Sequence, residues 1–287
     1  MKKEPSPFHY TVDTPKRLSK SERQKVRRRE KIKARRRKVI VVSLAVITTI
    51  CAAFLAYKVI LHYQDLAAAR REMAELQKLN PMSTELLAAN PDYAGWLIIG
   101  GTDINYPVVR GSDNDKYLNT TFSGKENAIG AIFIDYRSAE DAPHLIIYGH
   151  NSGSLSALEE GTEKHFMFGG LRHFLDGQYM AEHPEIMFVQ NNVVSVFEIF
   201  SVRETDINDA AYMLDFSAEG AFAAFAEQQG APEAEKIITL STCIGDGTND
   251  GRLLVQGVLQ RTVIVNDVDY NEDGGWHINL QGREREK

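Results

Sequence analysis

Beyond residue 95 the apolar residues of this chain come in short runs with the composition of strands rather than the period of helices. Trp96–Ile99, Asn105–Val109, Ala131–Asp135, His144–Tyr148, Glu185–Val189, Val193–Val202, Lys236–Thr242 and Leu253–Val265 are rich in β-branched and aromatic residues and are bounded by turn formers. Eight such runs predict a mostly β domain, a barrel or a sandwich, with helices inserted at Leu155–Glu160, Gly170–Phe174 and Ala218–Gln229. Before Asn90-Pro91-Asp92, a turn signal, the pattern is helical. Gln64 to Leu76 is dense in good helix formers, Pro81 interrupts, and Ser83 opens a second short helix that ends at Ala89. This stretch predicts a stalk and a helix packed on the β domain. Earlier still, Val39–Ala56 is a run of 18 residues without a charge and without an amphipathic stripe. As a helix it would be about 27 Å long, close to the thickness of bilayer hydrocarbon.

Charge decides what the apolar run is. Residues 1–38 carry 16 Lys/Arg against 4 Asp/Glu, a net of +12, and the other 249 residues carry 17 against 35, a net of −18, which together give −6. A basic head of this density suits nucleic acid or anionic lipid, or sets membrane topology. The adjoining apolar run favours topology: the positive-inside rule places residues 1–38 in the cytoplasm and the β domain outside. The long charged region and the lack of a small-x-small site after the run argue against a cleaved signal peptide. The expected organisation is a basic cytoplasmic tail (1–38), disordered or loosely helical, a single transmembrane helix (39–57), a helical stalk (58–89), the β domain (90–265) and an acidic tail (266–287). The acidic balance of the outer part argues against a nucleic-acid partner, and no glycine-rich phosphate loop opens a helix.

The chain has two cysteines. Cys51 lies in the apolar run, so Cys243 is the lone thiol of the outer part, with no partner for an internal disulfide there; this points to a reactive thiol or an intermolecular bond. Cys243 ends one β-rich run, and Arg252 begins the next, after the glycine-rich loop Gly245–Gly251. His150 follows the apolar strand Leu145–Tyr148. A thiol beside an imidazole forms a thiolate–imidazolium pair, and an arginine lowers the thiol pKa further and can hold an oxyanion. His144, His165, His173, His183 and His277 are weaker candidates. No close Cys or His ligand pair suggests zinc. Asp269–Gly274 matches the start of a calcium loop, but its twelfth position is Leu280, so the expectation is no metal and no cofactor. The residues alone leave two readings: a thiol enzyme, and a membrane-anchored binding module in which Cys243 is buried filler.

Thr239-Leu240-Ser241-Thr242-Cys243, the downstream Arg252 and the upstream Tyr148-Gly149-His150 together resemble the sortases, class B in particular. Asn90–Leu97, Ile104–Val109, Asp113–Leu118 and Gly130–Arg137 match as well, so the resemblance covers about residues 90–265. It implies an eight-stranded sortase β-barrel with inserted helices, on a Gram-positive cell membrane, facing the wall. It implies that Cys243 attacks the threonine carbonyl of a C-terminal sorting signal, of the Asn-Pro-x-Thr type or a variant. His150 would protonate the leaving amine and then deprotonate the incoming one, while Arg252 holds the carbonyl oxygen. Substrate-binding roles would fall to Asn114, Tyr148, Tyr212, Met213, Ser241 and Thr242. The implied reaction is transpeptidation, and the implied partners are surface proteins bearing a sorting signal and an amine of a peptidoglycan precursor; the alternatives are a thiol peptidase acting mainly by hydrolysis and a pilin-polymerising sortase. Ile244 departs from the pattern, since some class B members carry an acidic residue there.

Overall fold

The computed structural model describes residues 19–139, 141–152, 165–244, 250–265, 269–271 and 275–277. The chain divides into two compact units, residues 1–61 and 62–287. The first is described from residue 19 and consists of helix α1 (Lys20–Leu76) up to the boundary. Its apolar stretch, from Val39 to Ile60, is exposed throughout, and α1 is the one helix among the described residues long and apolar enough to cross a membrane. Residues 20–38 are helical rather than disordered, as their run of Lys, Arg, Gln and Glu permits.

In the second unit the last turns of α1 pack on the β domain. Leu66, Ala69, Met73 and Leu76 are buried at helical spacing, a stripe that faces the core. Polar contacts fix this end of the helix. Glu72 accepts from Thr121 Oγ1 (3.0 Å) and Ser123 N (2.8 Å), and Gln77 Nε2 donates to Asn105 O (2.8 Å). The second short helix, α2 (Thr84–Ala89), is capped by Ser83, whose Oγ accepts from Glu85 N at 3.0 Å.

The barrel is built from β1 (Tyr93–Ile99), β2 (Asn105–Val109), β3 (Ile132–Ile134), β4 (His144–Tyr148), β7 (Glu185–Gln190), β8 (Val193–Asp206), β9 (Ile237–Cys243) and β10 (Gly251–Ile264). These are the eight predicted runs, with ends moved by a few residues. They close in the order β1-β2-β3-β4-β9-β10-β8-β7, which selects the barrel over the sandwich. The β2–β3 and β4–β9 pairs are parallel and the rest antiparallel. Two small strands, β5 (Asn151–Ser152) and β6 (Phe166–Met167), pair beside the barrel, and β11 (Asp269–Asn271) pairs with β12 (Gly275–His277).

The predicted helix at Gly170–Phe174 is a 3-10 helix, Phe168–Leu175, and that at Ala218–Gln229 is α4 (Ala221–Gln229). Helix α3 (Gly177–Glu182) has an apolar pattern too short to read and was not expected. The helix expected at 155–160, the loop at 245–249, the first 18 residues and most of the calcium-loop-like tail lie outside the described residues.

Strand alternation divides the core in two. Ile238, Leu240, Leu253 and Val255 join the large cluster that contains Trp96, while Ile237 packs with Phe225 and Ala226 of α4. His144 lies under α4 and is fully buried, its ring 4.8 Å from that of Phe225. Burial pushes its pKa down from 6.5 to about 4, against the opposing pull of the Met213 carbonyl and Asp135. The folded state therefore holds His144 neutral where the unfolded chain would protonate it. This stabilisation is complete above pH 6.5 and is lost as pH falls toward 4. Urea unfolding followed by tryptophan fluorescence should show a loss of about 2 kcal/mol between pH 7.5 and pH 5, and a His144→Gln variant should lack it. Asp209, which the Arg203 hydrogen bond holds down at about 2, adds a second acid loss below its ordinary 3.8.

Candidate active site

Strand β9 lies between β4 and β10, and its alternation sorts its side chains. Ile238 and Leu240 enter the large core. Thr239, Ser241 and Cys243 share the opposite face, and Cys243, the last residue of the strand, is exposed. That exposure removes the reading of Cys243 as buried filler. In the antiparallel register with β10, Arg252 stands directly opposite Cys243. Directly opposed residues project to the same face with Cβ atoms about 5 Å apart, so the cation is a cross-strand neighbour of the thiol. Arg252 Nη1 donates to Gly251 O at 2.9 Å.

The histidine arrives from the other side. The parallel β4–β9 register ends at Tyr148 beside Ser241, so the next residues of both strands run on together toward His150 and Cys243. Gly149 N donates to Ser241 O (3.2 Å) and Asn151 Nδ2 donates to Cys243 O (2.8 Å), which pins the two chains on either side of His150. His150 O accepts from Phe168 N (3.0 Å), and its Nε2 donates to Leu118 O (2.8 Å). With Nε2–H committed to a carbonyl, Nδ1 is the nitrogen left to exchange protons in the neutral ring. Position 149 requires glycine because a Cβ there would stand 2.7 Å from the buried ring of Phe168.

A cleft of about 260 Å³ opens over these residues, lined by Asn114, Asp115, Leu118, Phe133, Tyr148, Gly149, His150, Ser241, Thr242, Cys243 and Arg252. Seven of the nine residues singled out in the sequence therefore share one cleft; Tyr212 and Met213 do not line it. Tyr212 stands just behind: its hydroxyl is 2.8 Å from Ser241 Oγ, and its ring is nearly parallel to that of Tyr148, with centroids 6.4 Å apart. Met213 is 40% exposed. Thr242 reaches the cleft from the core face of β9, and its Oγ1 is buried without a hydrogen-bond partner among the described residues. Asn114 Oδ1 accepts from Tyr136 N at 3.1 Å. A larger cleft, about 520 Å³, lies beside α1 and is lined by Arg70, Gln77, Asn105 and His165, with no thiol among its walls.

Three contributors were missed. Asp135 is fully buried and accepts from Tyr148 Oη (2.9 Å) and from Arg137 Nε (2.9 Å) and Nη2 (2.7 Å). Burial works to raise its pKa, but Arg137 and Tyr148 more than offset it and keep the carboxyl below the ordinary 3.8. The Tyr148 phenol is pushed up by burial and then by Asp135, so it stays a donor. Asp135 and Arg137 were visible only as part of a matching motif, without a role. Arg172, in the 3-10 helix, donates to Ile244 O at 3.1 Å and brings a second cation beside the thiol's loop. Ile244 itself packs against the large core, which accounts for an apolar residue at that position.

Comparison with known proteins agrees with this geometry. Residues 97–260, more than half of the chain, match the sortase domain family. Sortase B of Listeria monocytogenes is 32% identical over 203 residues, covering 66% of this chain and 74% of that one. Sortase B of Bacillus anthracis superposes with a TM-score of 0.56 at 28% identity, over 69% of this chain and 98% of the other. A serine-for-cysteine mutant form of Clostridium perfringens sortase B gives 0.57 at 25% identity, over 67% and 98%. With the closed eight-stranded barrel and a thiol, an imidazole and a guanidinium in one cleft, the chain belongs to the sortase family as a class B sortase, a cysteine transpeptidase.

Proposed function

We propose that Cys243, His150 and Arg252 carry the transpeptidation, on a C-terminal sorting signal as acyl donor. The observation that supports this most strongly is the Cys243–Arg252 cross-strand pair, with His150 lining the same cleft. Cys243 Sγ adds to the carbonyl carbon of the threonine, and the developing oxyanion lies against the Arg252 guanidinium. The C–N bond then breaks, His150 gives its proton to the leaving nitrogen, and a thioester remains on Cys243. An incoming amine adds to the thioester, His150 takes the amine proton, and the thiolate leaves as the new amide forms. Water in place of the amine gives hydrolysis.

The acceptor in this reading is an amine of a peptidoglycan precursor, reached from the outer face of the cell membrane. The supports are the exposed apolar stretch of α1 and the basic residues before it. They fit a single-pass anchor with residues 1–38 inside and the barrel outside a Gram-positive cell. Asn114, Tyr148, Ser241 and Thr242 border the cleft and would contact the donor peptide, with Tyr212 and Met213 forming the wall behind them.

The test is to incubate the detergent-solubilised full chain with a library of sorting peptides and an amine acceptor, and to map products by mass spectrometry. Cleavage after threonine with transfer to the amine supports the reading; a product pool dominated by free acid would favour a peptidase. Cys243→Ala should lose all turnover while circular dichroism stays unchanged, because an exposed sulfur is removed. Arg252→Lys should fall on the order of 100-fold in kcat/KM, since an ammonium cannot reproduce the planar fork. Gly149→Ala should also lose roughly 100-fold, because relief of the clash with Phe168 displaces His150.

A further inference from the structure

A chain of side chains on the outer face of the barrel takes no part in the chemistry above. Arg203 of β8 donates to Asp209 (2.8 and 3.2 Å), to Gln229 Oε1 of α4 (2.8 Å), to Ser201 Oγ (3.0 Å) and to Gln256 Oε1 of β10. Gln256 Nε2 donates to Thr239 Oγ1 of β9 (3.1 Å), which lies 2.8 Å from His144 Nε2 of β4. His144 Nδ1 lies 2.9 Å from Met213 O. Gln256, Thr239 and His144 are fully buried.

Proton directions along this chain are forced. A guanidinium only donates, so Gln256 presents its oxygen to Arg203 and its nitrogen to Thr239. A carbonyl only accepts, so His144 carries its proton on Nδ1 and leaves a lone pair on Nε2. The Thr239 hydroxyl, accepting from Gln256, then donates to that lone pair. The depressed pKa of His144 agrees with a ring that stays neutral.

Both ends of the chain return to one short segment. Asp209, held by Arg203 and by Thr205 Oγ1 (2.8 Å), caps the following turn by accepting from Ala211 N at 2.8 Å. His144 holds Met213 O. Between them is Tyr212, bonded to Ser241 two residues before Cys243. We propose that Arg203, Gln256, Thr239 and His144 are positioning residues that set the Tyr212–Met213 wall and, through it, the affinity for the donor peptide. This rests on the reading of that wall as part of the peptide site.

The test uses the detergent-solubilised full chain and the Asn-Pro-x-Thr peptide that it cleaves fastest. Thr239→Val keeps the shape and removes the hydroxyl in the middle of the relay. It should raise KM about tenfold, with kcat and the rate of Cys243 alkylation by iodoacetamide changed by less than about threefold. Thr239→Ser should restore KM. An unchanged KM in the valine variant, with a raised KM in Tyr212→Ala, would overturn the relay and leave the wall standing. An unchanged KM in both would overturn the wall and the relay together. Equal losses in kcat, KM and alkylation would reduce the chain to a purely structural role and so overturn the proposal. Should the valine variant not fold, nitrogen-15 spectra of the wild-type His144 ring decide: a neutral Nδ1–H tautomer at pH 7 supports the relay, and an Nε2–H tautomer or an imidazolium ends it.

Discussion

The parallel pairing of β4 with β9 is the constraint on which the site depends. Parallel strands finish at the same end of a sheet, so the residues that follow Tyr148 and the residues that follow Ser241 emerge together. An antiparallel neighbour would have sent the histidine loop to the opposite end of the barrel. With β10 running back along the other side of β9, its first turn of chain delivers Arg252 to the same end. Three groups separated by about a hundred residues of sequence at the widest therefore meet through strand direction and register, before any side-chain contact is considered. The backbone hydrogen bond from Gly149 and the side-chain hydrogen bond from Asn151 to carbonyls of β9 lock that arrangement.

The same sheet supports the site from behind. Alternation gives β9 a dry face, with Ile238 and Leu240 in the large core, and a polar face that carries Thr239, Ser241 and Cys243 in a line. Burying Thr239, Gln256 and His144 under α4 is tolerable because each has partners within hydrogen-bond reach. The buried carboxylate of Asp135 is stabilised by a bidentate arginine and a phenol, and through that phenol it orients a ring in the cleft wall. Rigid support on two sides suits a site whose thiol sits exposed on a strand end rather than on a helix.

Much of this could be read from residue order. The eight strands were marked by β-branched runs between turns, and their centres were placed correctly because a half-buried strand imposes its composition locally. Cys243, His150 and Arg252 were legible because each stands where a strand meets a polar loop. Barrel and sandwich could not be separated from composition, since closure depends on long-range pairing such as β1 with β7. Asp135, Arg137 and Arg172 escaped because their partners lie far along the chain or across a tight turn, and a lone charged residue gives no sign of burial. The buried hydrogen bonds of Thr239 and His144 escaped for a related reason: a threonine and a histidine in strands look like ordinary β residues until the neighbouring strands are known. The 3-10 segment at Phe168–Leu175 was caught only in its middle, because its glycines weaken the helical signal.

Closure of the barrel has one more effect, on how a substrate can be held. An extended peptide commonly binds a sheet by adding itself as another strand along a free edge, with main-chain bonds supplying most of the grip. Here the ring of eight strands has no free edge to offer. On the proposed reading a donor peptide instead crosses the end of the barrel sheet, where the side chains of the cleft do the holding. On the proposed reading, discrimination among donor peptides rests with a few cleft residues around Tyr148 and Ser241, and can be altered in evolution without disturbing a single strand pairing.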